Sequence, residues 1–231
     1  MKLQIGKIVL NDITLHKSQS HKFRGYIGDK FQEFDLLHNH DPQTGKAIYR
    51  YPLFQFKVID DNPCIIAITE KTIPLLKKLF LELKEIKIDD TRIELNEKML
   101  ESEFFDFGLS PEKITYKFIN PWIALNQDNY KEYISLTSSK DKETLLIKCL
   151  IGNILSFAKG VGYQIPDTIN PEINLNPTKV RLKGIEVIGF TGSFTVNFKL
   201  PDLIGLGKSV SRGYGTIVGM GVTHPHKNGL K

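Results

Sequence analysis

Six glycines, Gly205, Gly207, Gly213, Gly215, Gly219 and Gly221, crowd the last fifth of the chain, and Lys208, Ser209, Ser211, Arg212 and Tyr214 stand among them. Glycine tolerates positive φ and lets another molecule approach the backbone closely, so consecutive N–H groups in such a stretch can form a concavity that binds anions. Lys208 and Arg212 would reinforce it. The segment therefore reads as a phosphate cradle, with a single-stranded or hairpin nucleic acid as the first partner to consider. A glycine-rich turn between two strands, with no ligand, is the plain alternative.

Two narrower motifs fail on the same residues. Leu206-Gly207-Lys208-Ser209 ends like a nucleotide-binding P-loop, but Asp202 stands where that motif needs its first glycine. Arg212-Gly213-Tyr214-Gly215 opens like the signature of an RNA-recognition motif and then offers Thr216 where a stacking aromatic belongs.

Charge follows the glycines. Residues 175–231 carry eight Lys and Arg against Glu186 and Asp202, although the whole chain has a net charge of only +5. The other residues are close to neutral, so the basic character is local and suits a polyanion. Cys64 and Cys149 each sit in an apolar run and read as core residues, which excludes a disulfide framework and a cysteine zinc site. The start of the chain is no secretory signal, and the longest apolar run, about 145–158, is broken by Lys148 and Asn153. A cytoplasmic protein without membrane contact is expected.

At 231 residues with 41% hydrophobic content, the chain can fill one large or two small cores. Strand-like alternation covers residues 2–10 and Leu53–Ile59, where Phe54, Phe56 and Val58 share a face, and a β-prone run follows at Cys64–Ile68. Residues 18–27 suit a short helix. A second helix begins near Pro74 with Leu75, Leu76, Leu79, Phe80 and Leu83 as its stripe, and short strands at 86–88 and 93–95 follow. That order is a split βαβ unit. A second cycle starts near Ile114, includes a helix apolar almost all round between Ser139 and Gly160, and continues as two long strands over Val180–Leu200. The glycine-rich segment occupies the place of the second helix and last strand. The expected fold is α+β, with two tandem ferredoxin-like domains over 1–110 and 111–231 and a glycine-rich loop near the C-terminus.

His38-Asn39-His40-Asp41 reads as a loop. Imidazoles titrate near neutrality, so two of them in one segment can act as general base and acid. The same spacing suits a metal completed by Asp41 or Asp35, and plain surface or core histidines are the third reading. Lys46, Tyr49, Arg50 and Tyr51 follow. A cation there could neutralise a pentacoordinate phosphate, and a tyrosine hydroxyl could orient a nucleophile.

Taken with the glycine-rich segment, the runs Phe34-Asp35-Leu36-Leu37-His38-Asn39-His40 and Tyr49-Arg50-Tyr51-Pro52-Leu53-Phe54-Gln55-Phe56-Lys57 resemble the CRISPR-associated repeat-processing endoribonucleases. The likeness is to the sixth Cas protein, in the subtype with Leu-His-Asn-His in its N-terminal half. The resemblance implies binding of CRISPR repeat RNA, both precursor and processed guide, and metal-independent cleavage within each repeat. It implies no cofactor and no metal. His38 and His40 match the family's histidines, Tyr49 its tyrosine, and Lys30 or Lys46 a stabilising cation. Gly205, Gly207, Lys208, Ser209, Ser211, Arg212, Gly213, Tyr214 and Gly215 are the expected RNA-binding residues. Other Cas proteins of a surveillance complex and a second copy of the chain are further partners compatible with it.

Overall fold

The computed structural model describes residues 1–38, 50–182 and 184–221, with His38 described by its backbone alone. Lys2–Leu10 is β1, and its alternating burial sends Ile8 and Leu10 to one face of the sheet and Leu3 and Ile5 to the other. A 3-10 turn at Lys17–Gln19, closed by a capping box between His16 and Gln19, leads into α1 at Ser20–Lys30. Phe23 and Ile27, four residues apart, form the buried stripe of α1, and the Phe23 ring meets Phe56 edge-on at 5.8 Å. A short helix, α2, occupies Asp35–His38.

Phe54–Ile59 is β2 and Asn62–Ile68 is β3, joined by a tight turn in which Asp60 and Asp61 both take positive φ. Ile73–Glu82 is α3, with Leu75, Leu76 and Leu79 buried as the leucine stripe predicts. Gly6 on β1 lies beneath it, where an added Cβ would stand 2.4 Å from a Leu76 methyl.

The sequence places the closing strand of this unit at 86–88 or 93–95. Those residues instead form β4 (Glu85–Ile88) and β5 (Thr91–Glu94), a separate two-stranded hairpin. The closing strand is Lys98–Asp106, β6, which pairs antiparallel with β1 along its whole length. It is an edge strand exposed over Glu101–Phe104, so its sequence lacks the alternation that marks a half-buried strand. The sheet order β2-β3-β1-β6 is that of a ferredoxin-like unit.

The second unit repeats the scheme. Gly108–Trp122 is β7, Gln127–Ser135 is α4, Ser139–Gly160 is α5, Glu172–Leu182 is β8, Ile185–Lys199 is β9 and Ile217–Gly219 is β10. Its sheet runs β10-β7-β9-β8, the same order with the glycine-rich segment where α3 stands in the first unit. Ser138 caps α5 by accepting from the Asp141 N–H.

The two units share a core. One face of the first sheet packs on α1 and α3 through Ile8, Phe56, Ile65 and Ala67. The opposite face, through Leu3, Ile5, Ile66 and Ile68, joins Phe157, Phe194 and Phe198 of the second unit. Both faces of β2 are consequently buried, and Gln55 and Lys57 are 0% exposed. Among the described residues no helix is long and apolar enough to cross a membrane.

Candidate nucleic-acid interface

Where the first unit has α3, the second has a loop with one 3-10 turn, Val210–Arg212, between left-handed residues at Ser209 (φ 57°) and Gly213 (φ 88°). Gly207 and Gly215 are required by close packing. At Gly207 (φ +92°) a Cβ would lie 2.6 Å from the Trp122 indole nitrogen, and at Gly215 (φ +61°) only 1.9 Å from the Leu206 carbonyl oxygen. Several backbone donors of the loop are already engaged within the protein. Leu206 N–H donates to Gly215 O at 2.9 Å, Lys208 N–H to Ile123 O at 3.0 Å and Gly215 N–H to Pro121 O at 2.9 Å.

Side chains of β2 and its approach hold the loop from below. Gln55 Oε1 accepts from the Gly205 N–H at 2.9 Å, and Tyr51 Oη donates to the Gly205 carbonyl at 2.7 Å while accepting from Gln55 Nε2 at 2.8 Å. Burial pushes the Tyr51 phenol well above its ordinary value, so it acts as a neutral donor. Lys57 Nζ donates to Thr216 Oγ1 at 2.9 Å, and Thr216 Oγ1 donates in turn to the Gly213 carbonyl at 2.8 Å. Burial lowers the Lys57 ammonium to about 7. These three side chains set the loop's shape, and the exposed or half-exposed groups left to meet a ligand are Lys208, Ser209, Ser211, Arg212 and Tyr214.

A cleft of about 440 Å³ opens beside the loop, between the units. Lys17 and His21 reach it from the start of α1, Asn120 from β7, Arg181 from the end of β8, and Arg212 and Tyr214 from the glycine-rich segment. Among the described residues no carboxylate lines it. Lys17 Nζ donates to the Ile119 carbonyl at 3.2 Å, and Tyr214 Oη to the Arg181 carbonyl at 2.8 Å, so side chains of the loop and of the turn before α1 are tied to the second sheet. His21 Nδ1 lies 2.7 Å from the Ser18 carbonyl, which accepts only from a protonated nitrogen and so leaves Nε2 for another partner. Burial, and then the neighbouring charge of Arg212, lowers the pKa of Arg24. Positive charge is concentrated at this junction, as an anion site requires.

Of the residues singled out for chemistry, the described ones lie elsewhere. Lys30 is exposed in the last turn of α1, with Nζ 3.4 Å from Tyr26 Oη. The chain turns directly through Phe31 and Phe34 into α2, so His38 belongs to a helical turn where the sequence reads as loop. Arg50 Nη2 donates to the Asp35 carbonyl at 3.2 Å and ties that turn to the approach to β2. His40, Lys46 and Tyr49, with Asp41 of the metal reading, lie outside the described residues. Lys30 and α2 stand at one end of α1 and the cleft at the other, roughly 16 Å apart for an eleven-residue helix.

Sequence reasoning missed Gln55, Lys57, Asn120, Lys17 and Arg181. The one signal available for the first two was two polar side chains within the apolar run Phe54–Ile59.

Comparison with known proteins covers nearly the whole chain. The family model for the Cas6b N-terminal domain matches residues 1–106, and that for the Cas6b C-terminal domain matches residues 108–220. A crystal structure of Cas6b superposes with a TM-score of 0.91 at 35% identity, over 95% of this chain and 100% of that one. A second, described as the CRISPR RNA processing endoribonuclease Cas6b, gives a TM-score of 0.77 at 33% identity over the same shares. An uncharacterized protein of Methanocaldococcus jannaschii is 37% identical over 142 residues, which is 61% of this chain and 96% of that protein.

Proposed function

The chain belongs to the Cas6b family, and from that premise we propose that it is an endoribonuclease that cleaves CRISPR precursor RNA within its repeats to release guide RNAs. The observation that carries this reading is the match, over 95% of the chain, to a CRISPR RNA processing endoribonuclease. The basic cleft between the two units supports it, because RNA is held largely through its phosphates.

The reaction needs no protein nucleophile. The 2′-hydroxyl oxygen at the cut site attacks the adjacent phosphorus, the bond from phosphorus to the 5′-oxygen breaks, and the products end in a 2′,3′-cyclic phosphate and a 5′-hydroxyl. One imidazole of the pair His38 and His40 takes the proton of the attacking hydroxyl, and a second group returns one to the leaving oxygen. Lys30 or Lys46 stabilises the charge that gathers on the pentacoordinate phosphate, and Tyr49 orients the attacking or departing group. The chain's own side chains supply every proton transfer.

Cleavage of a labelled repeat RNA in EDTA tests this. The wild type cuts, and the His38→Ala, His40→Ala double variant loses about a hundredfold to ten-thousandfold for each group removed. A 2′-deoxy residue at the cut site abolishes cleavage and leaves binding intact. Tight binding without cleavage, with or without added metal, would overturn the reading in favour of a non-catalytic RNA-binding subunit.

A further inference from the structure

The wall of the cleft contains an amide whose hydrogen bonding is half complete. Asn120 is 6% exposed, and its Nδ2 donates to the Gly213 carbonyl at 2.8 Å. That bond sets the orientation of the amide, because the reverse assignment would point two oxygens at each other. Asn120 Oδ1 is buried and has no hydrogen-bond partner among the described residues. Buried acceptors rarely go without one, and only an N–H or O–H donor can repair this oxygen.

The groups around it are of the opposite kind. Lys17, His21, Arg181 and Arg212 present positive charge or hydrogen-bond donors to the same cleft. A basic rim over one buried acceptor suits a molecule with negative charge at one end and an N–H donor at the other. A nucleotide is such a molecule: its phosphate diester offers only acceptors, and the edge of its base carries the donor. Tyr214 adds a ring held in place through its hydroxyl, a face on which a splayed base can stack. A volume of about 440 Å³ suits one nucleotide and excludes a duplex.

We infer that the cleft receives one unstacked nucleotide of the RNA, with Asn120 Oδ1 accepting from an N–H on the base edge, which makes Asn120 a specificity-determining residue. The inference rests on the repeat-RNA reading above. The oxygen is covered in the free protein, so the contact includes a local rearrangement of the cleft wall that uncovers it.

The test measures binding of repeat RNAs, blocked by a 2′-deoxy residue at the cut site, in which one base at a time is removed. The wild type loses on the order of tenfold to a hundredfold at one position on account of this contact. Asn120→Ala loses this contact's share of the discrimination, so that the ratio of intact to abasic binding at that position falls to what stacking on Tyr214 leaves. Asn120→Asp keeps an acceptor and keeps the discrimination. Both variants lose the bond to Gly213, so a purely structural role would weaken every RNA equally and leave the ratio unchanged. Asn120→Leu takes the place of the alanine variant if that one does not fold. A wild type that binds the repeat, with the position-specific loss undiminished in Asn120→Ala or Asn120→Leu, overturns the inference alone. A wild type that does not bind the repeat overturns the repeat-RNA reading and the inference with it.

Discussion

The two units run through the same strand order but join their third and fourth sheet strands by different means. In the first, α3 satisfies its own backbone and contributes Leu75, Leu76 and Leu79 to the core. In the second, the glycine-rich loop has almost no regular structure, and its Gly205 and Gly213 polar groups are met by Tyr51, Gln55 and Asn120 and by the Lys57 to Thr216 pair. A helix can be specified by its own sequence. A loop of this kind gets its shape from the surfaces it lies on, and those are the back of the other unit's sheet and the end of β7 in its own. Replacing the helix by this loop leaves a cationic edge held rigidly at the junction of the units.

That contrast can be broken most sharply at Gly215. An alanine Cβ there would meet the Leu206 carbonyl at 1.9 Å in a left-handed backbone, so Gly215→Ala is expected to cost about 4 kcal/mol or more, read by urea denaturation. Leu79→Ala in α3 removes a fully buried side chain and is expected to cost about 3 kcal/mol by the same measurement. Its damage is confined to the first core, so the folded protein keeps its RNA affinity, whereas any folded Gly215→Ala loses it.

The smallest effect sharpens the comparison by pH. Lys57 is lowered to about 7 in the folded protein and has its ordinary value of 10.5 in the unfolded chain. Above pH 7 the unfolded chain holds a proton that the folded one has released, so stability rises with pH, and below pH 7 both forms are charged and Lys57 adds no slope. The rise is on the order of 1 kcal/mol per pH unit. Urea midpoints at pH 7, 8 and 9 should climb in the wild type, and Lys57→Met should flatten the climb. Above pH 9 the Cys64 thiol, pushed up to about 12 by burial, acts in the opposite direction, which closes the window there.

Elements that carry their own pattern are legible in the sequence. The helix at Ser139–Gly160 and the strands at 2–10 and around Leu53–Ile59 follow from apolar spacing. The glycine-rich segment stands in place of a helix, as its composition requires. β6 escaped because an edge strand exposed over Glu101–Phe104 has little apolar rhythm to read. Gln55 and Lys57 escaped for the reverse reason. Alternation along β2 sends them to the face opposite Phe54, Phe56 and Val58, and only the arrival of the second unit turns that face into interior.

By itself the sequence determined the class of each periodic element, the tandem order of the two units and the concentration of basic charge near the C-terminus. All of these are properties of neighbours along the chain. Tertiary structure alone decided that Lys17 and His21 share a cleft with Arg181 and Arg212, and that Asn120 is buried in its wall with one oxygen unpaired among the described residues. It also decided that Lys57, fully buried, donates to Thr216. Those partners lie far apart along the chain, and a hydrogen bond or a lowered pKa depends on what lies within a few ångströms, a distance that no local pattern encodes.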